Sequence, residues 1–460
     1  MKKSNKLKFI DLFAGLGGIR LGFEQACIER GIETECVMTS EIKPYAIETL
    51  KHNHNHHHEN FVGDIFNIKN EDIPQFDFLF GGFPCQPFSA SGKRQGFADT
   101  RGTLFFEIER ILRHHQPMGF ILENVEGMVK HDLEHKKDKI GRTLKTILYK
   151  LERELGYQVS YETLDSVNFG VPQSRKRIFI VGTKSHKVSL EHFKPTFKVI
   201  KDVLERGKPT IDSKFTQKLL AKYSIKNLYG KSIKDKRGGS NNIHSWDIGV
   251  KGECSDEQID LLNKLFKERR KKHWAKEIGI DWMDGMPLTL KQVETFAPAN
   301  NLFTSYNLKE LLDDLVKKGY LKFEYPKKLV VEETSNGIIK SRVYDKTKPK
   351  GYNIVAGKLS FEINKILDPN DIAPTLVATD MSKIVVSDGN GLRTLTIREA
   401  LRLFGYPEHY NIPVKKQLAF DLLGNTVVVS VVKAVAERIL DVIPLNSSTS
   451  RVDGKLEVTV

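Results

Sequence analysis

Between residues 8 and about 182 the chain alternates short apolar runs with stretches whose apolar positions recur every three to four residues. The runs read as buried strands and the stretches as amphipathic helices packed over them. Strands are predicted at 9–13, 35–40, 76–81, 119–123, 157–164 and 177–183, with helices at 20–30, 44–53, 104–116 and 139–155. This alternation predicts an α/β domain with a doubly wound parallel sheet, whose ligands should sit at the carboxyl ends of its strands. From about 184 to 383 the texture becomes Lys-rich and uneven. Residues 262–276, LNKLFKERRKKHWAK, hold seven Lys or Arg against one Glu, while Ile259, Leu262, Leu265 and Phe266 keep helical spacing. One amphipathic helix with a cationic face is expected there. A helical pattern over 307–318, stopped by Gly319, leads into strand-like runs at 320–325 and 329–333, expected to pair as a hairpin in the manner of a winged-helix module. Near Thr394 the α/β texture returns, with a helix over 397–404 stopped by Gly405 and Pro407. An apolar segment over 422–440 is expected to pack back onto the first domain.

Composition narrows this picture. At 460 residues the chain has room for two or three domains. Lys and Arg number 72 against 58 Asp and Glu, a net charge of +14. Such an excess suits a polyanionic partner, although a basic protein without one has the same arithmetic. Lys433 interrupts the apolar run that starts at Thr426, so no membrane span is expected. The first eight residues are basic but Asp11 breaks the apolar segment behind them, so the expected compartment is the cytoplasm rather than a secretory route. Four cysteines, Cys27, Cys36, Cys85 and Cys254, are too scattered for a disulfide framework or a CxxC metal site, so a special cysteine must act as a thiol. The run HNHNHHH at 52–58 reads as a polar loop at a helix end, and no metal is expected.

Four constellations carry chemistry. The segment FIDLFAGLGG, 9–18, places glycines at a strand-to-helix turn where a ligand approaches the backbone closely. Arg20 stands where GxGxxG needs its third glycine, which weakens a nicotinamide-oxidoreductase reading and favours a nucleoside cofactor without a pyrophosphate. Glu41 and Asp64, each after a predicted strand, suit a ribose hydroxyl and an adenine amine, although either acid alone reads as a helix cap or a surface charge. The block GFPCQPFS sets Cys85 between two prolines at a strand end. Behind it, residues 89–102 are rich in Ser, Gly, Lys and Arg, the composition of a mobile cationic lid, so Cys85 is a nucleophile candidate. Glu123 in ENV sits at another strand end, as an acid or base would. Arg175 and Arg177 in QSRKR are two apart and would face one way along a strand. Singly, each of these charges also fits a surface ion pair.

Taken together and in order, FIDLFAGLGG, GFPCQPFSASGKRQGFADTRGTLFFEI, ENV, QSRKR, LTIREALRLFGYPE and LLGNTVVVSVV resemble the DNA cytosine-5 methyltransferase family. The likeness covers about 9–182 and 392–440. It implies a Rossmann-like, S-adenosylmethionine-dependent methyltransferase domain over 1–184 completed by 418–460, a smaller variable target-recognition domain over 185–391 and a connecting segment over 392–417. It implies that Cys85 adds to carbon 6 of a flipped-out cytosine, that Glu123 holds a proton at ring N3, and that Arg177 with Arg175 contacts O2. The cofactor side would use Phe13, Gly15, Leu16, Gly18, Glu41, Ile42, Asp64, Ile65, Pro84, Leu104 and Asn425. Ser89, Ser91, Lys93, Arg94 and Arg101 would face DNA from the lid. The implied partners are double-stranded DNA and, as for many bacterial relatives, a cognate restriction endonuclease acting on the same site, with the enzyme itself a monomer. A transfer-RNA cytosine-5 methyltransferase and a non-catalytic DNA-binding relative are the alternatives. The long basic insert speaks against the first and the intact Cys85, Glu123 and Arg177 against the second.

Overall fold

The computed structural model describes residues 6–54, 60–83, 103–235, 241–297, 305–334, 337–355 and 361–444. They fall into two compact units, one within Met1–Arg206, Asp368–Ser382 and Leu395–Val460, the other within Gly207–Leu367 and Lys383–Thr394. These limits do not coincide with boundaries at 184, 391 and 417. Thr196 N–H donates to Asn168 O at 2.9 Å, Ile200 N–H donates to Asp371 O at 3.0 Å, and Glu205 N–H donates to the Glu399 carboxylate at 2.8 Å. Such bonds draw residues up to 206, and the short segment Asp368–Ser382, onto the first unit.

The first unit opens with β1 (Leu7–Leu12), α1 (Gly18–Ile28), β2 (Thr34–Ser40), α2 (Pro44–Asn53), β3 (Asn60–Val62), β4 (Phe78–Gly82), α3 (Thr103–His115), β5 (Gly119–Val125), α4 (Arg142–Tyr149), β6 (Gln158–Asp165) and β7 (Lys176–Thr183). They form one sheet in the order β3-β2-β1-β4-β5-β7-β6. Strands β1 to β5 run parallel, while β7 is antiparallel to both neighbours. The sheet is therefore mixed, not fully parallel: only the short stretch 166–175 joins β6 to β7, too little for the crossover that parallel neighbours need. Phe9, Ile10 and Leu12 in β1 and Phe78, Leu79 and Phe80 in β4 are fully buried, as strands covered on both faces should be. The order reverses between β1 and β4, which opens a crevice at their carboxyl ends.

In the second unit α5 (Lys214–Lys222), α6 (Ile225–Leu228), β8 (Ser232–Ile233), β9 (Asn242–Ile243), α7 (Asp256–Glu268), α8 (Lys272–Glu277), α9 (Leu290–Glu294) and α10 (Ser305–Lys317) precede β10 (Leu321–Glu324), β11 (Lys327–Thr334), β12 (Gly337–Tyr344), β13 (Gly351–Ile354), β14 (Lys365–Ile366), β15 (Ile384–Asp388) and β16 (Gly391–Thr394). Two expectations fail here. The single basic helix over 262–276 is α7 and α8, broken because Arg269 turns inward, where its Nη1 donates to Asn353 Oδ1 at 2.6 Å. The cationic face is partly neutralised, with Arg270 3.1 Å from Asp284 and Lys271 2.6 Å from Glu268. The expected hairpin of 320–325 with 329–333 is also absent: β10 pairs with β13, and β11 pairs with β12. Pro326 stands between the two runs, and β11 runs on to Thr334 before β12 returns from Gly337.

The chain then comes back to the first unit as α11 (Ile397–Leu403), α12 (Lys416–Asn425) and α13 (Val429–Leu440). Over Lys416–Leu440 the sequence is long and apolar enough to cross a membrane, contrary to the reading of Lys433 as a sufficient break, yet 67% of its most apolar window is buried inside the fold. What it buries against is α1. A Cβ on Gly18 would stand 2.7 Å from Val427 Cγ2, and one on Gly22 2.7 Å from Val432 Cβ. Glycine at both places lets the two helices meet.

Candidate active site

At the end of β1 the backbone turns through residues with positive φ, Phe13 at 57°, Gly15 at 56° and Gly17 at 64°. Phe13 holds a left-handed conformation that costs a side-chain-bearing residue about 1–2 kcal/mol, a strain typical of ligand-binding turns. The turn is clamped from β2: Glu41 Oε2 accepts Gly15 N–H at 2.8 Å, while Oε1 accepts Ile42 N–H at 2.8 Å and Lys43 N–H at 2.9 Å. A carboxylate oxygen has two lone-pair positions, so Oε2 retains one for a ribose hydroxyl. Beside it Ile42 is 69% exposed, an apolar side chain at the crevice mouth such as a purine face would cover. Among the described residues, no atom lies within 4 Å of where a Cβ on Gly15 would stand. Asp64, exposed, accepts Phe66 N–H at 3.1 Å through one oxygen. Phe13 and Leu104 are half-buried against the core.

Other cofactor-side residues lie differently. The side chains of Leu16 and Ile65 are in the core, and Leu16 O already accepts the Tyr410 hydroxyl at 2.7 Å. Gly18 faces Val427 and Tyr406 rather than the crevice. Asn425 reaches the first unit on α12, where Asp421 binds Lys43 at 2.7 Å and the Tyr45 hydroxyl at 2.8 Å, both just beyond Glu41. Asn425 donates to Asp421 O at 2.8 Å. Asp421 and Tyr45 are the contacts that sequence reading missed; an acid one helical turn before Asn425 was the available signal. Pro84, Cys85, Ser89, Ser91, Lys93, Arg94 and Arg101 lie outside the described residues, as do positions 55–58 of the histidine run.

The second half of the crevice is built on β5. Glu123 sits opposite Gly82 of β4 in the register, and a Cβ on Gly82 would be 3.5 Å from Glu123 Oε2. Next to it Asn124, buried, donates to Phe83 O at 2.8 Å and fixes the chain as it leaves β4. Arg177 Nε lies 3.0 Å from Glu123 Oε1, and the Glu123 side chain is only 12% exposed. Burial pushes the Glu123 carboxyl above its usual range, an effect opposed by Arg177 and then Arg175. Arg177 Nη1 donates to Lys176 O at 2.8 Å, which fixes the plane of the guanidinium.

Arg175 does not share that face. It precedes β7 instead of lying within it, so the two-residue period does not bind it. Its side chain is buried, with Nη1 on Leu376 O and Nη2 on Gly424 O, both at 2.9 Å, and its guanidinium 5.3 Å from the Phe404 ring centre. Burial, and secondarily Arg177, lowers its pKa to about 9. It joins β7 to the returning segments, helped by buried Gln173, which binds Leu403 O at 2.9 Å and Leu376 N–H at 3.2 Å. Of the remaining cysteines, Cys27 and Cys36 are buried and Cys254 partly so. Burial raises the Cys27 thiol to about 12, which keeps it protonated and inert.

A seven-stranded sheet with an antiparallel β7, and a glycine turn clamped by a carboxylate at its switch point, make the first unit a Rossmann-like methyltransferase domain of the S-adenosylmethionine-dependent type. The profile of the family described as C-5 cytosine-specific DNA methylase matches residues 7–441; the chain belongs to that family and is a DNA (cytosine-5-)-methyltransferase. It is similar to the Type II methyltransferase M.NlaIV of Neisseria lactamica, 55% identical over 435 residues that cover 95% of this chain and 99% of that one. M.BanI of Aneurinibacillus aneurinilyticus, also a Type II methyltransferase, is 41% identical over 457 residues, 94% of this chain and 95% of its own. Among solved structures, the Entamoeba histolytica methyltransferase EhMeth aligns with a TM-score of 0.50 at 14% identity over 95% of this chain and 98% of that chain, a likeness of fold.

Proposed function

We propose that this methyltransferase is the modification enzyme of a Type II restriction–modification system, that it acts on a flipped-out cytosine through Cys85, and that residues of the second unit choose the target sequence. The observation that supports the chemistry best is the Glu123–Arg177 pair at the end of β5, directly across from the Gly82 that leads into the Cys85 block. S-adenosylmethionine, when bound, supplies an electrophilic methyl group. Glu41 would orient its ribose, Ile42 would cover its base, and Asp64 and Asn425 would bound the same crevice. Carbon 5 of cytosine is a poor nucleophile until a sulfur adds at carbon 6. Cys85 forms that S–C6 bond as its thiolate. Glu123, whose carboxyl burial raises above its usual range, passes a proton to ring N3 and drains electron density from carbon 6. Arg177 has donors left beyond Glu123 and Lys176 O, and places them against charge growing on O2. The activated carbon 5 would then take the methyl group as the donor's S–CH3 bond breaks; loss of the carbon-5 proton to solvent breaks the S–C6 bond, frees Cys85 as its thiolate, and returns the N3 proton to Glu123. Arg175 acts as a positioning residue behind Arg177.

A base in a duplex is out of reach of a thiol, so the target leaves the stack, at a cost of a few kcal/mol. Ser89, Ser91, Lys93, Arg94 and Arg101 are the proposed phosphate and stack-facing groups. The cytoplasm, where DNA and a cognate endonuclease meet, is the proposed compartment, and a monomer the proposed state. Transfer of labelled methyl groups to duplex DNA but not to transfer RNA, abolished in Cys85→Ser with DNA binding retained, is the expected result. Label in RNA alone, or full activity of Cys85→Ser, overturns it.

A further inference from the structure

Among the described side chains of the hairpin β11–β12, those of 327–331 and 341–344, none is a buried core residue. Its strands pair over eight positions, Lys327 with Tyr344 through Thr334 with Gly337, and bond to no other strand among the described residues. None of these described side chains joins the hydrophobic clusters around Trp246 or around Ile366. On the face shared by Lys327, Leu329, Val331, Arg342 and Tyr344, Leu329 is 43%, Val331 51% and Tyr344 49% exposed. On the opposite face Lys328 and Val343 are exposed. A two-stranded ribbon with both faces in water is marginal unless something else holds it. Here its base is fixed: the Tyr344 hydroxyl donates to Glu324 at 2.9 Å, and Asp345 N–H donates to Pro326 O at 2.8 Å. Residues 327–350 carry seven Lys or Arg against three acids. Arg342 is exposed, directly across from Leu329, and makes no ion pair among the described residues.

We propose that this ribbon is the element of the second unit that enters a groove of the DNA and reads bases. Eight paired residues at about 3.3 Å each give a ribbon of about 26 Å, narrow enough for a major groove about 12 Å wide. Its apolar positions suit thymine methyl groups, and its guanidinium suits the paired acceptors of a guanine edge. Lysines at the base would hold phosphates without reading sequence. Leu329 and Arg342, one pair in the register, are the specificity-determining residues.

The proposal rests on DNA being the substrate, and its test separates the two. The wild type, Arg342→Ala, Arg342→Lys and Leu329→Ser are expressed in a host without cytosine methylation, and bisulfite sequencing maps the methylated sites. Purified proteins are titrated with a mixed-sequence duplex, and thermal midpoints are recorded. Arg342→Ala should lower methylation of the target about tenfold or more, and Arg342→Lys should keep mixed-sequence binding but broaden the motif, because an ammonium lacks the bidentate fork. Thermal midpoints should not move, since no core contact is lost. An unchanged motif and extent of methylation in all three variants overturns the ribbon. A concentration-dependent dimer that these substitutions dissolve overturns it as well, in favour of self-association. Should the wild type methylate nothing, the enzymatic reading fails on its own, and the ribbon is still judged by duplex binding: at least fivefold weaker in Arg342→Ala supports it, equal binding refutes it.

Discussion

Replacing Glu123 by Gln keeps the shape of the side chain and removes its titrating proton. Glu123 is nearly buried, 3.0 Å from Arg177 Nε and across from Gly82, so amide for carboxyl changes little sterically. General acid assistance is typically worth 10²–10⁴ in rate, so the barrier should rise by about 3–5 kcal/mol. Gln can still accept from the exocyclic amine of cytosine, and the ground-state loss is that of one charge-assisted hydrogen bond, about 1.5–3 kcal/mol. Single-turnover methyl transfer should therefore fall further than DNA affinity. The pH dependence has a definite sign. A carboxyl whose folded pKa is raised binds its proton more tightly in the native state, so wild-type stability declines as pH rises from the ordinary carboxylate value through the raised one. Gln does not titrate. The thermal midpoint of Glu123→Gln relative to wild type should thus climb as pH rises above the ordinary carboxylate value and level off beyond the raised one. A transfer rate within about threefold of wild type refutes Glu123 as the acid, and a flat difference in midpoint refutes the raised carboxyl.

Glu41→Ala strips the acceptor from the amides of Gly15, Ile42 and Lys43, so calorimetry should find S-adenosylmethionine binding at least about tenfold weaker and a midpoint lowered by a loss of about 1–3 kcal/mol. Gly18→Ala would push a methyl to 2.7 Å from Val427 Cγ2 and 2.9 Å from the Tyr406 hydroxyl. Denaturant titration should show a loss of about 1–3 kcal/mol, whereas Gly127→Ala, with nothing within 4 Å, should stay within about 0.5 kcal/mol. If the basic groups neutralise about six to ten phosphates, duplex affinity should drop about 10³–10⁵-fold between 50 and 200 mM salt, as followed by anisotropy; a flat response would leave the +14 charge without this use.

Strands β1, β2, β4, β5 and β7 were legible as short apolar runs largely buried on both faces, and β6 was legible despite an exposed Tyr161, whereas the three-residue β3 was not predicted. Their direction was not: β7 looks like any other buried run, and only the shortness of the link from β6 forces it antiparallel. Glu123 and Arg177 could be placed because both lie in regular strands, where register brings strand ends together. Arg175 could not, since residue period says nothing about a side chain just outside a strand, and its partners are carbonyls about 200 and 250 positions away. In the second unit the apolar positions of α7 were read rightly, while the inward turn of Arg269 hid behind the habit of placing arginine in water. Pairing of β11 with β12, and not with β10, depended on where the chain turns, which alternating residues leave open. Glu41 was expected as a ribose ligand, and its grip on three amides adds a structural reason for a carboxylate there.

The glycine face of α1 has a consequence for synthesis. Gly18 and Gly22 are shaped for Val427 and Val432, residues translated some four hundred positions later. During translation the sheet can assemble from its first 183 residues, but α1 then presents a bare groove flanked by apolar side chains. Arg175 likewise waits for Leu376 and Gly424. The arginine behind the site stays unanchored until the carboxyl helices emerge, so a nascent chain should be able to fold its sheet well before it can modify DNA, with an interval in which its exposed groove invites chaperones or aggregation.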